Sequence, residues 1–122
     1  MEFNYTSDKP LFQQVADQIS LGILNGAFQE GRQIPSTTEI SKSYQINPAT
    51  VLKGMNLLVD DGLIEKKRGI GMFVLEGAQE KVRMIRKEEF LKNDVSHLIE
   101  EAKKLNINLE ELIIILERGY QS

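Results

Sequence analysis

A chain of 122 residues supports one domain, or one small domain with an appendage, and excludes two large ones. Its 41% hydrophobic and 27% charged content is ordinary for a globular protein, and the longest apolar run, Leu112 to Leu116, falls far short of the ~20 residues of a membrane helix. The absence of cysteine removes disulfides, thiolate catalysis and cysteine-ligated zinc, and a net charge of -3 with a pI near 5.2 leaves any nucleic-acid binding to local geometry.

Met1-Glu2-Phe3-Asn4-Tyr5 has neither the basic start nor the apolar stretch of a secretory signal, so a cytoplasmic protein is expected. Pro10 suits the first turn of a helix, with Asp8 placed to cap it, and Leu11, Val15, Ile19, Ile23 and Leu24 give that helix an apolar stripe ending near Gly26. Gly31-Arg32-Gln33-Ile34-Pro35 reads as a turn. Ser36-Thr37-Thr38-Glu39 is a capping box opening a short second helix, with Ile40 inward and Tyr44 near its end.

A third helix starts abruptly, with Asn47 as its cap and Pro48 in the first helical position, where the missing N–H costs nothing. Val51, Met55 and Leu58 form its buried stripe, and Gly62 supplies the left-handed residue that ends it. Leu63 to Lys66 and Met72 to Leu75 then flank Arg68-Gly69-Ile70-Gly71 as a β-hairpin with a glycine-rich tip.

From Ala78 to Leu105 there is neither proline nor glycine. Leu91, Val95, Leu98, Ala102 and Leu105 alternate spacings of four and three, the seam of a helix that packs lengthwise on another. Asn106-Ile107-Asn108 breaks it, and Asn108-Leu109-Glu110-Glu111 is a second capping box opening a last helix to about Arg118, with Leu109, Leu112, Ile113 and Leu116 as its apolar positions. The expected fold is mainly α with a small β-hairpin: a winged helix-turn-helix over residues 1–76, then a two-helix extension over 77–122 for dimerisation.

In such a module the third helix enters the major groove. Its helix terminus attracts a phosphate, small Ala49 permits close approach, and Thr50 and Lys53 reach a base edge or phosphate. The amides at Ser36, Thr37 and Thr38 offer a similar phosphate site. Lys66, Lys67 and Arg68 add cations to the wing, where Gly69 and Gly71 let the backbone lie close to DNA.

The stretch from Pro10 to Val74 resembles the DNA-binding domain of the GntR family. Gly31 to Ser36 is similar to its G-x-x-L-P-S turn, Asn47-Pro48-Ala49-Thr50-Val51 to its recognition-helix start, Asp61-Gly62-Leu63-Ile64 to its E-G-L-I, and Gly69 to Val74 to its G-x-G-x-F-V wing. The short remainder and the Asn-Pro-x-Thr-Val variant resemble the YtrA subfamily. That resemblance implies a dimeric repressor, often of transporter genes, paired through its C-terminal helices. Where the family usually has Arg two residues after the Pro-Ser pair and again at the recognition-helix start, this chain has Thr38 and Pro48.

An enzyme is a poor alternative. His97, the only histidine, has no nucleophile partner, and the paired glutamates Glu88-Glu89, Glu100-Glu101 and Glu110-Glu111 read as solvated helix faces. No catalytic residue, metal site or cofactor is expected, and no effector is assigned. A winged helix that contacts protein instead of DNA is the stronger competitor, favoured by the acidic pI and by apolar Leu57 near the Thr50 face.

Overall fold

The computed structural model describes residues 1 to 122, and they form two compact units, Met1–Met84 and Ile85–Ser122. The first contains helices α1 (Leu11–Leu24), α2 (Thr37–Tyr44) and α3 (Pro48–Asp60), strands β1 (Ile64–Lys67) and β2 (Gly71–Val74), and the start of α4 (Ala78–Glu89). Apolar residues at helical spacing converge here: Val15, Ile19 and Ile23 of α1 meet Ile40, Val51, Met55 and Leu58, and the wing closes the core with Leu63, Ile64, Met72 and Val74. Ala78 and Val82 are buried in the same core, so the first turns of α4 belong to the winged unit.

Local chemistry sets most of the element boundaries. Ser36 and Glu39 form the reciprocal capping box, with Ser36 Oγ accepting from the Glu39 amide at 3.0 Å and Glu39 Oε1 from the Ser36 amide at 3.2 Å. Asn47 caps α3, and Pro48 takes its first position. At the far end of α3, Gly62 has φ +73°, its amide donates to Val59 O and the Leu63 amide donates to Leu58 O. This Schellman closure uses Leu63 as part of the helix end, so the strand begins at Ile64, one residue later than the expected Leu63. Pro10 itself is the N-cap of α1 and no side chain caps that helix, so the cap expected from Asp8 is not formed.

Gly31 to Ile34, expected as a turn, does more. The Gly31 amide donates to Val74 O, the Val74 amide to Arg32 O and the Ile34 amide to Met72 O, so this segment pairs with the outer edge of β2. The wing therefore has β2 between two partners, with β1 in antiparallel register from Ile64↔Val74 to Lys67↔Gly71. α1 and α3 approach closely at Gly54, where a Cβ would stand 2.6 Å from Phe12 O.

Two further anchors are long-range. The Glu30 carboxylate accepts from the amides of Gly77 at 2.8 Å and Gln79 at 3.1 Å, capping α4 from a distant loop, and these bonds hold its pKa below the ordinary value. Near the N-terminus, the buried Gln14 amide donates to Asn4 O and Lys9 O and accepts from the Asn4 amide. Phe3 packs edge-to-face on Tyr44 at 5.0 Å, and Tyr5 hydroxyl donates to Tyr44 O.

In the second unit, a π-helical segment (Phe90–Val95) precedes α5 (Ser96–Lys104), and α6 (Leu109–Gln121) follows a left-handed turn at Asn106. The expected uninterrupted α-helix from Ala78 to Leu105 is thus α4, a π segment and α5. Asn108 caps α6 by accepting from the Glu111 amide at 2.9 Å, and α6 extends beyond Arg118 to Gln121.

Candidate nucleic-acid interface

All twelve residues expected at DNA lie in the Met1–Met84 unit: Ser36, Thr37 and Thr38 at the start of α2, Asn47, Pro48, Ala49, Thr50 and Lys53 on α3, and Lys67, Arg68, Gly69 and Gly71 in the wing. Asn47, Pro48, Ala49 and Lys53 are exposed, and Thr50 is half-buried. Helical spacing adds Asn56, an exposed residue that shares the outer face of α3 with Ala49 and Lys53 and carries an amide suited to a base edge. Its periodic position relative to Lys53 was the available signal in the sequence.

Capping changes how α3 meets an anion. Asn47 Oδ1 accepts from the Ala49 amide at 2.8 Å, the Thr50 amide donates to Asn47 O at 2.9 Å, and Pro48 has no amide. The first-turn amides expected to hold a phosphate are therefore engaged by the cap, which leaves the helix dipole and the side chains. At α2, Ser36 takes the Glu39 amide, while Thr37 and Thr38 precede the first residues with intrahelical partners. The Glu39 carboxylate stands over the Ser36 amide, placing a negative charge beside that phosphate position.

The cations are unequal. Lys53 Nζ lies 4.0 Å from the centroid of the Phe12 ring, so its ammonium rests on α1 instead of extending straight from α3. Lys67 Nζ sits 4.3 Å from the Phe73 ring centroid and 4.0 Å from Glu65 Oε1. Lys66 and Arg68 are exposed and make no ion pair, which makes them the wing's available charges.

The wing tip is a β-turn: the Ile70 amide donates to Lys67 O at 2.9 Å, with Arg68 and Gly69 between them and Gly69 at φ +76°. Gln33, absent from the sequence-based site, reaches across to this tip. Its Nε2 donates to Ile70 O at 2.9 Å. Gly71, at φ +143°, leaves room for that side chain, since a Cβ there would lie 2.4 Å from Gln33 Nε2.

The positions expected at a dimer interface lie in the other unit. Leu91, Leu98, Leu105, Leu109, Ile113 and Leu116 are exposed, Val95 and Leu112 are half-buried, and only Ala102 is buried, at 7%. No helix of the chain is long and apolar enough to cross a membrane.

The chain is similar to known proteins in sequence and fold. The family described as "Bacterial regulatory proteins, gntR family" matches residues 11–74. The HTH-type transcriptional repressor YtrA of Bacillus subtilis (strain 168) is 31% identical, covering 87% of this chain and 81% of its own length. A GntR-family regulator from Bacteroides thetaiotaomicron is 33% identical with a TM-score of 0.75, over 91% of this chain and 96% of that one. YtrA from Sulfolobus acidocaldarius, a GntR-family transcription factor, is 27% identical with a TM-score of 0.57, over 99% and 97%. The fold and the match across the helix-turn-helix and wing together establish that the chain belongs to the GntR family of DNA-binding transcriptional regulators, which are not enzymes, and is YtrA-like within it.

Proposed function

We propose that the chain is a cytoplasmic homodimeric repressor that reads a two-part operator in double-stranded DNA and controls a small operon such as a transporter operon. The repressor role is supported by likeness to the Bacillus YtrA repressor. α3 reads the major groove with Thr50, Lys53 and Asn56, while Lys66 and Arg68 bring the wing to the backbone.

Dimerisation rests on one observation. From Ile85 to Ser122 only Ala102 is buried, whereas Leu91, Leu98, Leu105, Leu109, Ile113 and Leu116 are exposed along seam positions. A helical unit of that composition lacks a core of its own, and pairing with a second copy supplies one. Two winged units are then held together for two half-sites.

The test is selection of a duplex from a random library by the protein, followed by binding across a salt series and light scattering. Thr50→Ala lowers affinity for the selected duplex by about 1 to 3 kcal/mol if it touches a base edge. Arg68→Ala weakens all sequences alike and makes the log K versus log salt slope shallower by about one unit. A micromolar monomer refutes the dimer. Selection of no duplex, with no salt-dependent retention on heparin, refutes DNA reading in favour of a protein-contact role.

A further inference from the structure

The start of α4 is held from three sides within the winged unit. The Glu30 carboxylate, from the loop between α1 and α2, accepts from the Gly77 amide at 2.8 Å through Oε1 and from the Gln79 amide at 3.1 Å through Oε2. Gln79 answers in the other direction, its Nε2 donating to Leu24 O at the end of α1 at 3.0 Å. Lys81 lies over the end of α3, where a Cβ on Gly62 would stand 2.7 Å from Lys81 Nζ. Ala78 and Val82, each 1% exposed, fill the core beneath.

These ties surround a natural swivel. Gly77, the residue before α4, has φ +84° and nothing within 4 Å of an added Cβ, so its backbone is free to turn and it has no side chain with which to cap the helix. A serine or aspartate at that position would satisfy the same amides locally and leave the swivel free. Glu30 instead reaches from 47 residues away and bonds on both sides of it, at 77 and at 79. The helix so fixed continues past Met84, where the winged unit ends, into the unit from Ile85 onward.

From this we infer that Glu30 is a specificity-determining residue for operator geometry: by locking α4 across the Gly77 swivel it confines the two winged units of a dimer to one separation of half-sites. The inference rests on the homodimer of the proposed function. Glu30 acts as a positioning residue, through α4 and without touching DNA. One inserted base pair moves a half-site by about 3.4 Å along the duplex and about 35° around it. A locked joint must break its bonds to follow that displacement, whereas a free glycine follows it by turning.

The test uses the full chain and the duplex that the parent selects from a random library. That duplex is compared with forms having one base pair inserted or removed between its halves, and with a duplex carrying one half alone. Opening the joint breaks two charge-assisted hydrogen bonds at an exposed site, so altered spacing weakens the parent about tenfold. Glu30→Ala has no such bonds to break, and its spacing penalty shrinks to about threefold. Its affinity for the single half equals that of the parent. Gln79→Met removes only the donor to Leu24 O and shifts the penalty in the same direction by less. A parent indifferent to spacing overturns the inference, as does a parental spacing penalty in Glu30→Ala. An equal loss by Glu30→Ala on every duplex, the single half included, also overturns it by showing that Glu30 serves only the fold. A parent that is monomeric in light scattering, or that selects no duplex, defeats the proposed function itself, and this inference with it.

Discussion

Replacing Gly54 by alanine tests how closely α3 is seated against α1. The added Cβ would lie 2.6 Å from Phe12 O and 3.0 Å from both Cβ and Cγ1 of Val15. Carbon and carbonyl oxygen ordinarily approach no closer than about 3.3 Å, so α1 and α3 must part by roughly 0.7 Å. Overpacking of this kind costs about 1 to 3 kcal/mol, and the upper end applies because the obstructing oxygen is main chain and has no alternative rotamer. Alanine regains about 1 kcal/mol of helix propensity, leaving a net loss of about 2 kcal/mol. For a winged unit of this size, that lowers the melting temperature by about 8 to 16 °C. The same separation shifts α3 relative to the wing and weakens binding to the selected duplex. Gly119→Ala, on α6, is the comparison, since no atom of the same chain lies within 4 Å of the added methyl. Calorimetry of the three proteins side by side gives the answer. A Gly54→Ala melting temperature within about 2 °C of the parent would refute the claim that α1 and α3 touch through backbone here.

Leu98→Asp places a carboxylate on the exposed seam of α5, and under the proposed pairing it lowers affinity for the selected duplex while the winged unit keeps its melting behaviour; a mutant that light scattering still finds dimeric, with parental affinity, would show that the seam lies elsewhere. Glu30 gives a pH dependence. The amides of Gly77 and Gln79 lower its pKa, so its cap on α4 is fully present above the ordinary 4.5 and is lost as pH falls below that value through the folded pKa. Glu30→Gln removes this contribution, and the difference in melting temperature between parent and mutant shrinks on acidification from pH 6 toward pH 3; parallel curves would contradict it.

What the sequence showed plainly was whatever depends on neighbours within one turn. Ser36 with Glu39, Asn47 with Pro48, and Gly62 state their roles by spacing alone, because each bond they make closes over a few residues. The order of capped helices and glycine-tipped hairpin was sufficient for the winged fold. Interactions that join distant segments left no such mark. Gly31 to Ile34 looked like a turn because its strand partner, β2, is about forty residues away, and a glutamine at 33 has no visible reason to reach the wing until the fold brings the two together. Lys53 was legible as an outward residue, but its seat on Phe12 depends on the crossing of α1 and α3. The π segment from Phe90 to Val95 escaped for another reason: its residues favour a helix, and the wider turn alters hydrogen-bond spacing without any distinctive composition.

The bonds around Gln14 have an evolutionary corollary. This amide grips main-chain atoms of Asn4 and Lys9, as a neighbouring strand would, so it recognises the path of the leading segment and is indifferent to which side chains that path carries. Mutational tolerance is accordingly lopsided. Position 9 accepts most residues, since the exposed pair between Lys9 and Asp17 contributes little. Position 14 accepts almost none: glutamate lacks the donor, lysine lacks the acceptor, and leucine would strand three main-chain groups. Among diverging descendants of this chain, the leading segment should drift in composition while a single glutamine on α1 stays fixed.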